Sequence, residues 1–341
     1  MNEQIGWGIT LVLLGGALNG SFASPMKRMP RWRWENTWLI FALTALLIIP
    51  WAVAATTIPH LATVYQQASW SVLAKITLYG FAWGIGATLF GQGIARVGLA
   101  LGFAVILGIT SSFGSLLPLA VLHPEQLHTH RGLALIAGTL VMIVGLVFLS
   151  IAGKRREREQ NPVPAVSGRS GFGTGLIICV LSGIFSSMLN FAFIFGDEVR
   201  QHALDAGASS AMAGNAIWSL AVTSGFIANA AYCVYLLNKN HTWGNFTGQG
   251  AGGSYWLGGT VMGALWFGGV VVYGMGAATL GTLGGIIGWP VFMSIAIISG
   301  IFWGLINREW KGASRGSYGY CLVGIGILFL AIAIIARGNA A

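Results

Sequence analysis

Charge is scarce in this chain. Asp, Glu, Lys and Arg make up 8% of its 341 residues, where a soluble domain carries about 25%. Its apolar residues fall in blocks long enough to cross a bilayer, which takes about 20 residues. That excludes a water-soluble enzyme or binding module and points to an all-α integral membrane protein. Cysteine is nearly absent as well. Cys179, Cys233 and Cys321 each sit inside an apolar block. Their spacing matches neither a disulfide framework nor a zinc site, so they read as small packing residues. The nine acids, Glu3, Glu35, Glu125, Glu157, Glu159, Asp197, Glu198, Asp205 and Glu309, fall in loops or near the ends of blocks. A central carboxylate relay is therefore not evident, and a cationic cargo would lack its buried counter-charge. No Walker loop, dinucleotide glycine pattern or nucleophile elbow occurs in a suitable context. An ATP-driven pump, an enzyme and a cofactor are not expected. HPEQLHTH gathers His123, Glu125, His128 and His130, but Pro124 implies a turn and such a tract is only a compositional cue. No metal is expected.

What the chain does contain is ten apolar blocks. They centre near Leu14, Leu46, Trp83, Leu107, Val141, Leu181, Thr223, Leu265, Ser294 and Ile327. The first lacks a basic flank before it, and Lys27 and Arg28 follow it, so it reads as a retained span with its N-terminus outside. The loops after spans one, three, five, seven and nine hold 14 of the 18 Lys and Arg residues; Lys75, Arg131, Arg200 and Arg337 lie on the other side. That split places the odd loops in the cytoplasm and both termini in the periplasm of a bacterial inner membrane. The net charge of +9 follows from this pattern and does not argue for nucleic acid. The polar run GKRREREQNPVPAVSGRSG reads as a cytoplasmic linker. The expected division is a first five-helix repeat over 1–153, a linker over 154–171 and a second five-helix repeat over 172–341.

The repeat shows in FAWGIGATLFGQGIARVGLALG, from Phe81 to Gly102, which carries six glycines. Shifted by 183 positions, Trp83 meets Trp266, Gly86 meets Gly269, Gly93 meets Gly276 and Gly98 meets Gly281. There are seven identities in 20 positions. A weaker match at an offset of 167 sets Gly16 against Gly183. Five spans per half make the second half enter the membrane upside down, and inverted repeats around a midplane site are a transporter architecture. The glycines read first as close-packing seams, with Gly98–Gly102 and Gly281–Gly285 at small-xxx-small spacing. Flexibility at a gate is the second reading.

Uncharged polar and aromatic residues near span centres are the candidates to line a path. They are Asn19, Trp83, Gln92, Ser187, Asn190, Asn215, Trp218, Asn229, Trp266, Tyr273 and Trp289. Amides and hydroxyls suit the hydroxyls of a small neutral sugar, and aromatic rings suit its apolar face. Trp83 and Trp266 fall near span centres rather than at the interface where tryptophan is usual. Each needs a partner for its N–H, and the pair is expected to form the two walls of a cavity. RMPRWRWEN reads as a membrane-boundary anchor through Trp32 and Trp34. Its Glu35 is the first candidate for a proton-coupling acid, with Asp197 and Glu198 second. The chain is expected to act as a monomer or homodimer in the lipid bilayer.

The run GALNGSFASPMKRMPRWRWENTW resembles the first hairpin of the bacterial L-rhamnose/proton symporter family, part of the drug/metabolite transporter superfamily. WGIGATLFGQGIARVGLALG, LSGIFSSMLNFAF and NREWKGA resemble it too, and the likeness covers nearly the whole chain. The resemblance implies uptake of L-rhamnose driven by the proton gradient, with the proton as coupling ion. Span nine, LGGIIGWPVFMS, has no ionisable group. An exporter of amino acids or other small metabolites with the same fold and an uncoupled sugar facilitator are the alternatives.

Overall fold

The computed structural model describes residues 2–160, 172–247 and 252–340, and among them every regular element is helical. Among the described residues, ten helices are long and apolar enough to cross a membrane, the number expected from sequence. Span one is Asn2–Ser21, two Trp34–Thr57, three Trp70–Val97, four Leu99–Leu122 and five His130–Gln160. Span six is Phe172–Phe195, seven Asn215–Asn240, eight Gly253–Thr279, nine Gly284–Ile306 and ten Arg315–Ala340. Span five runs on to Gln160, so the first residues of the expected linker are helical. The rest of it, 161–171 with Arg169, lies outside the described residues. The face of the bundle that carries the loops after odd-numbered spans is here termed the basic end.

The packing pairs recur under a shift of five. Span three runs along span six, and span eight along span one. Span six also packs on span four as span one packs on span nine, while span five pairs with span ten. The glycines that permit these contacts recur in the same way. A Cβ on Gly86 would come within 2.7 Å of Ser186 N, and one on Gly269 within 2.8 Å of Asn19 N. Gly93 lies against Cys179 as Gly276 lies against Val12. Asn19 and Ser186 stand 167 positions apart, as do Val12 and Cys179. This correspondence is consistent with two inverted five-helix repeats.

Gly98 and Gly281 depart from the seam reading. Nothing lies within 4 Å of a Cβ on either, and their φ angles are +89° and +80°. Both are turn residues, ending spans three and eight in a backbone region that residues with a Cβ rarely adopt. Of the opening run's glycines, Gly84, Gly86 and Gly93 are buried seam residues, whereas Gly98 breaks the helix.

Prolines create a second demand. Pro118 lies inside span four and has no N–H to give the carbonyl of Gly114, four residues earlier. Asn190 Nδ2 donates to that carbonyl at 3.0 Å and to Gly285 O at 3.0 Å, while its Oδ1 accepts from the Tyr273 hydroxyl at 2.7 Å. One amide thus joins spans four, six, eight and nine. Span two repeats the logic. It contains a π turn over Thr44–Ile48, followed by Pro50. Leu46 O has no i+4 donor, and Thr223 Oγ1 of span seven donates to it at 3.2 Å. Thr223 in turn accepts from Trp51 Nε1 at 2.8 Å.

Asn190→Leu is expected to destabilise the fold by about 1–3 kcal/mol, the usual cost of buried polar groups left unpaired. Thermal unfolding in detergent measures this. An unchanged midpoint would show that the amide does not hold the four spans.

Candidate functional site

A cavity of about 830 Å³ lies at the centre of the bundle. Small-molecule sites occupy about 300–1,000 Å³. Its rim is formed by Ala23, Trp34, Ala95 and Tyr232, all toward the basic ends of their helices. Its floor is Trp218, Tyr273, Trp289 and Phe292, toward the opposite end. There the rings close on one another. Phe193 stacks on Trp218 at 4.6 Å, and Phe292 packs 4.9 Å from Tyr273 and 5.7 Å from Trp289. The cavity is therefore open toward the basic end and closed opposite. Among the described residues, none that lines it is charged.

Eight of the eleven candidate lining residues reach this cavity: Asn19, Trp83, Gln92, Trp218, Asn229, Trp266, Tyr273 and Trp289. Trp83 and Trp266 do not face each other across a gap, as the sequence suggested. They stack, with centroids 5.3 Å apart and planes at 29°, and form one wall. Close approach of the backbones brings them together. Gly225 accepts the edge of Trp83, and Gly269 lets span eight lie against span one. Neither indole N–H has a hydrogen-bond partner among the described residues. Asn19 uses only Nδ2, toward Trp266 O at 3.4 Å, and Gln92 only Nε2, toward Thr88 O at 3.4 Å. Their carbonyl oxygens have no hydrogen-bond partner among the described residues.

Three candidates are not brought to the cavity, because the fold uses them. Ser187 Oγ donates to Ile184 O of its own helix at 2.6 Å, a common fate of serine in a helix. Asn190 serves the four-span junction. Asn215 lies at the opposite end and donates to Thr57 Oγ1 at 3.2 Å. Asn229 lines the cavity with both amide ends occupied. Its Oδ1 accepts from Trp38 Nε1 and its Nδ2 donates to Gly225 O, both at 3.0 Å. It holds Trp38, which stacks on Trp34 at 4.9 Å.

Sequence reasoning missed Trp34, Trp38, Phe41 and Tyr232, and it preferred Ser187 to Ser186, yet all but Ser187 line the cavity. Ser186 is one residue from the expected Ser187, and its hydroxyl has no partner among the described residues. A signal for it existed: it stands opposite Asn19 in the weaker repeat match. Trp34 was read as a lipid anchor but lies at the cavity rim. Trp32 is buried, donates to Asn245 O at 2.9 Å and packs against Phe246, Tyr255 and Trp256. Trp32 is buried because the loop between spans one and two packs on span eight and on the segment after span seven.

None of the three candidate acids lines the cavity. Glu35 is 4% exposed and accepts from Asn240 Nδ2 at 2.9 Å and Thr242 Oγ1 at 2.8 Å, joining span two to the end of span seven. Asp197 pairs with Arg200 at 2.6 Å at the opposite end. Glu198 accepts from Ser69 N at 2.5 Å and Ser69 Oγ at 2.8 Å, closing the start of span three.

The family model described as L-rhamnose-proton symport protein (RhaT) matches residues 1–341. A protein of Klebsiella pneumoniae subsp. pneumoniae named L-rhamnose-proton symporter is 27% identical over 350 residues, covering 100% of both chains. Proteins of the same name from Salmonella enteritidis and Citrobacter koseri are each 26% identical over 346 residues, again with 100% of both chains covered. With ten apolar helices around one uncharged cavity and a family match along its entire length, the chain belongs to the L-rhamnose-proton symport protein family of multi-pass bacterial membrane proteins.

Proposed function

We propose that this chain imports L-rhamnose together with a proton across the bacterial inner membrane. The observation that carries this reading is the central cavity, which is uncharged yet keeps unpaired indole N–H groups, amide oxygens and a serine hydroxyl. A neutral sugar satisfies such groups with its hydroxyls and lays its apolar ring face on the Trp83–Trp266 pair. A charged amino acid or a cationic drug would be desolvated there with no counter-charge. Asn19, Gln92 and Ser186 bond the hydroxyls. Asn229 positions Trp38 at the rim, and Trp218, Tyr273 and Trp289 close the far side. Each chain carries a complete cavity, so one chain is the transporting unit, as a monomer or within a homodimer.

The excess of Lys and Arg makes the basic end the cytoplasmic one and puts both termini in the periplasm. The cavity then opens inward. Two inverted repeats rocking about the tryptophan pair expose it to each side in turn. Glu35 is the proposed proton carrier, because it is the buried one of the three candidate acids and joins two cavity-lining spans. Protonation removes an acceptor from Asn240 and Thr242 and loosens that junction. Asp197 and Glu198 lie at helix ends and remain secondary candidates. No cofactor is required beyond the proton.

Proteoliposomes holding the purified protein should accumulate labelled L-rhamnose when the proton gradient points inward. Uptake without the gradient would instead indicate a facilitator, and no uptake would exclude the sugar. Trp83→Ala should abolish uptake while the protein stays folded. Trp83→Phe, which keeps a ring and loses the N–H, should raise the half-saturating sugar concentration about tenfold, one hydrogen bond's worth. Glu35→Gln should retain rhamnose exchange between equal pools yet lose gradient-driven accumulation; accumulation at the wild-type level would remove Glu35 as the carrier. Cysteines placed at the two termini should react with an impermeant maleimide added to intact cells, and protection of either would reverse the orientation.

A further inference from the structure

A second cavity, of about 440 Å³, lies between spans one, four, five, nine and ten at the basic end. Unlike the first, it is charged. Arg156 reaches it from the last turns of span five, and Glu309 from the loop after span nine. Glu309 Oε1 pairs with Lys27 at 2.6 Å, and its Oε2 lies 3.7 Å from Arg156 Nη1. The Arg156 guanidinium sits 5.1 Å over the Trp310 ring. Its Nε is buried and has no hydrogen-bond partner among the described residues. The Ser150 hydroxyl, on the same helix and in the same wall, also has none among the described residues.

A buried charged donor left unpaired is costly, more so than a neutral one. The cavity therefore presents a donor that lacks an acceptor beside a carboxylate that accepts. A hydroxyl can accept from Arg156 Nε while a neighbouring hydroxyl on the same molecule donates to Glu309. An anionic amphiphile would satisfy the arginine but meet the carboxylate. The two cavities also share wall residues, among them Asn19, Phe22, Phe103 and Met293. A solute leaving the central site toward the basic end passes them on the way.

We propose that Arg156, Glu309 and Ser150 form a second sugar subsite on the basic-end route, where a polyhydroxylated neutral solute pauses between the central cavity and solution. This rests on the reading of the chain as a sugar carrier. Arg156→Lys keeps the charge beside Glu309 and deletes the Nε donor. Ser150→Ala leaves the charge pair untouched. In membrane vesicles of both orientations, each variant should raise the half-saturating concentration for L-rhamnose offered at the basic face. For Arg156→Lys the rise should be about five- to tenfold, as for one lost hydrogen bond to a charged group. The value for sugar offered at the opposite face should stay unchanged. Equal shifts from both faces, or no shift in either variant, would overturn the subsite. So would an anionic phospholipid that native mass spectrometry finds on the wild type and not on Arg156→Lys, and that rhamnose does not displace. Wild-type protein that carries no rhamnose from either face would overturn the sugar reading itself.

Discussion

A carbonyl released by a proline inside a bilayer has no water to bond, so the protein must supply the donor. That demand organises the centre of this molecule. Pro118 frees Gly114 O, and Asn190 answers it. Pro50 leaves Leu46 O without its i+4 donor, and Thr223 answers it. Each answer comes from a different span, so each proline becomes a point where two helices are joined. The Asn190 junction goes further, taking in Tyr273 and Gly285 O as well. The aromatic floor of the cavity is built on that junction.

The same demand sorts the polar residues near the membrane centre into two groups. Some are consumed by the fold: Asn190 by a freed carbonyl, Ser187 by its own helix, Asn229 by Trp38. Others that line the cavity keep unpaired atoms, among them Asn19, Gln92, Ser186 and the indoles of Trp83, Trp218 and Trp266. These face the central cavity, where a ligand can complete them. A cavity with no charge and several half-satisfied groups is suited to a neutral, hydroxyl-rich solute. The charged cavity at the basic end is related chemistry, with a guanidinium and a carboxylate in place of indoles and amides.

Close backbone approach holds the two halves together. Gly86 against Ser186 and Gly269 against Asn19 are the same contact made twice, each time between the two halves and with their roles exchanged. Trp83 and Trp266 occupy matching positions and stack where the halves meet. Gln92 lines the open end, while its counterpart Met275 lies outside the cavity near the closed end. The packing scheme is thus common to the two halves, while the exposed chemistry differs. That difference is what a carrier open to one side requires.

Much of this could be read from the chain. Hydropathy and length set the ten spans, the lysines and arginines set the basic face, and the glycine register pointed to the correspondence of spans three and eight. These are properties of composition and spacing, which survive in one dimension. Pairing within the centre could not be read in this way. Ser186 and Ser187 differ by about 100° around a helix of 3.6 residues per turn, so boundaries uncertain by several residues cannot say which one faces the cavity. Gly98 and Gly86 are identical in sequence, yet one turns the chain and the other admits a neighbouring backbone. Trp34 lies at the cavity rim because the fold brings Tyr232 of span seven against it. Which polar group is consumed and which is left free depends on the partner that a remote span brings, and no local pattern carries that information.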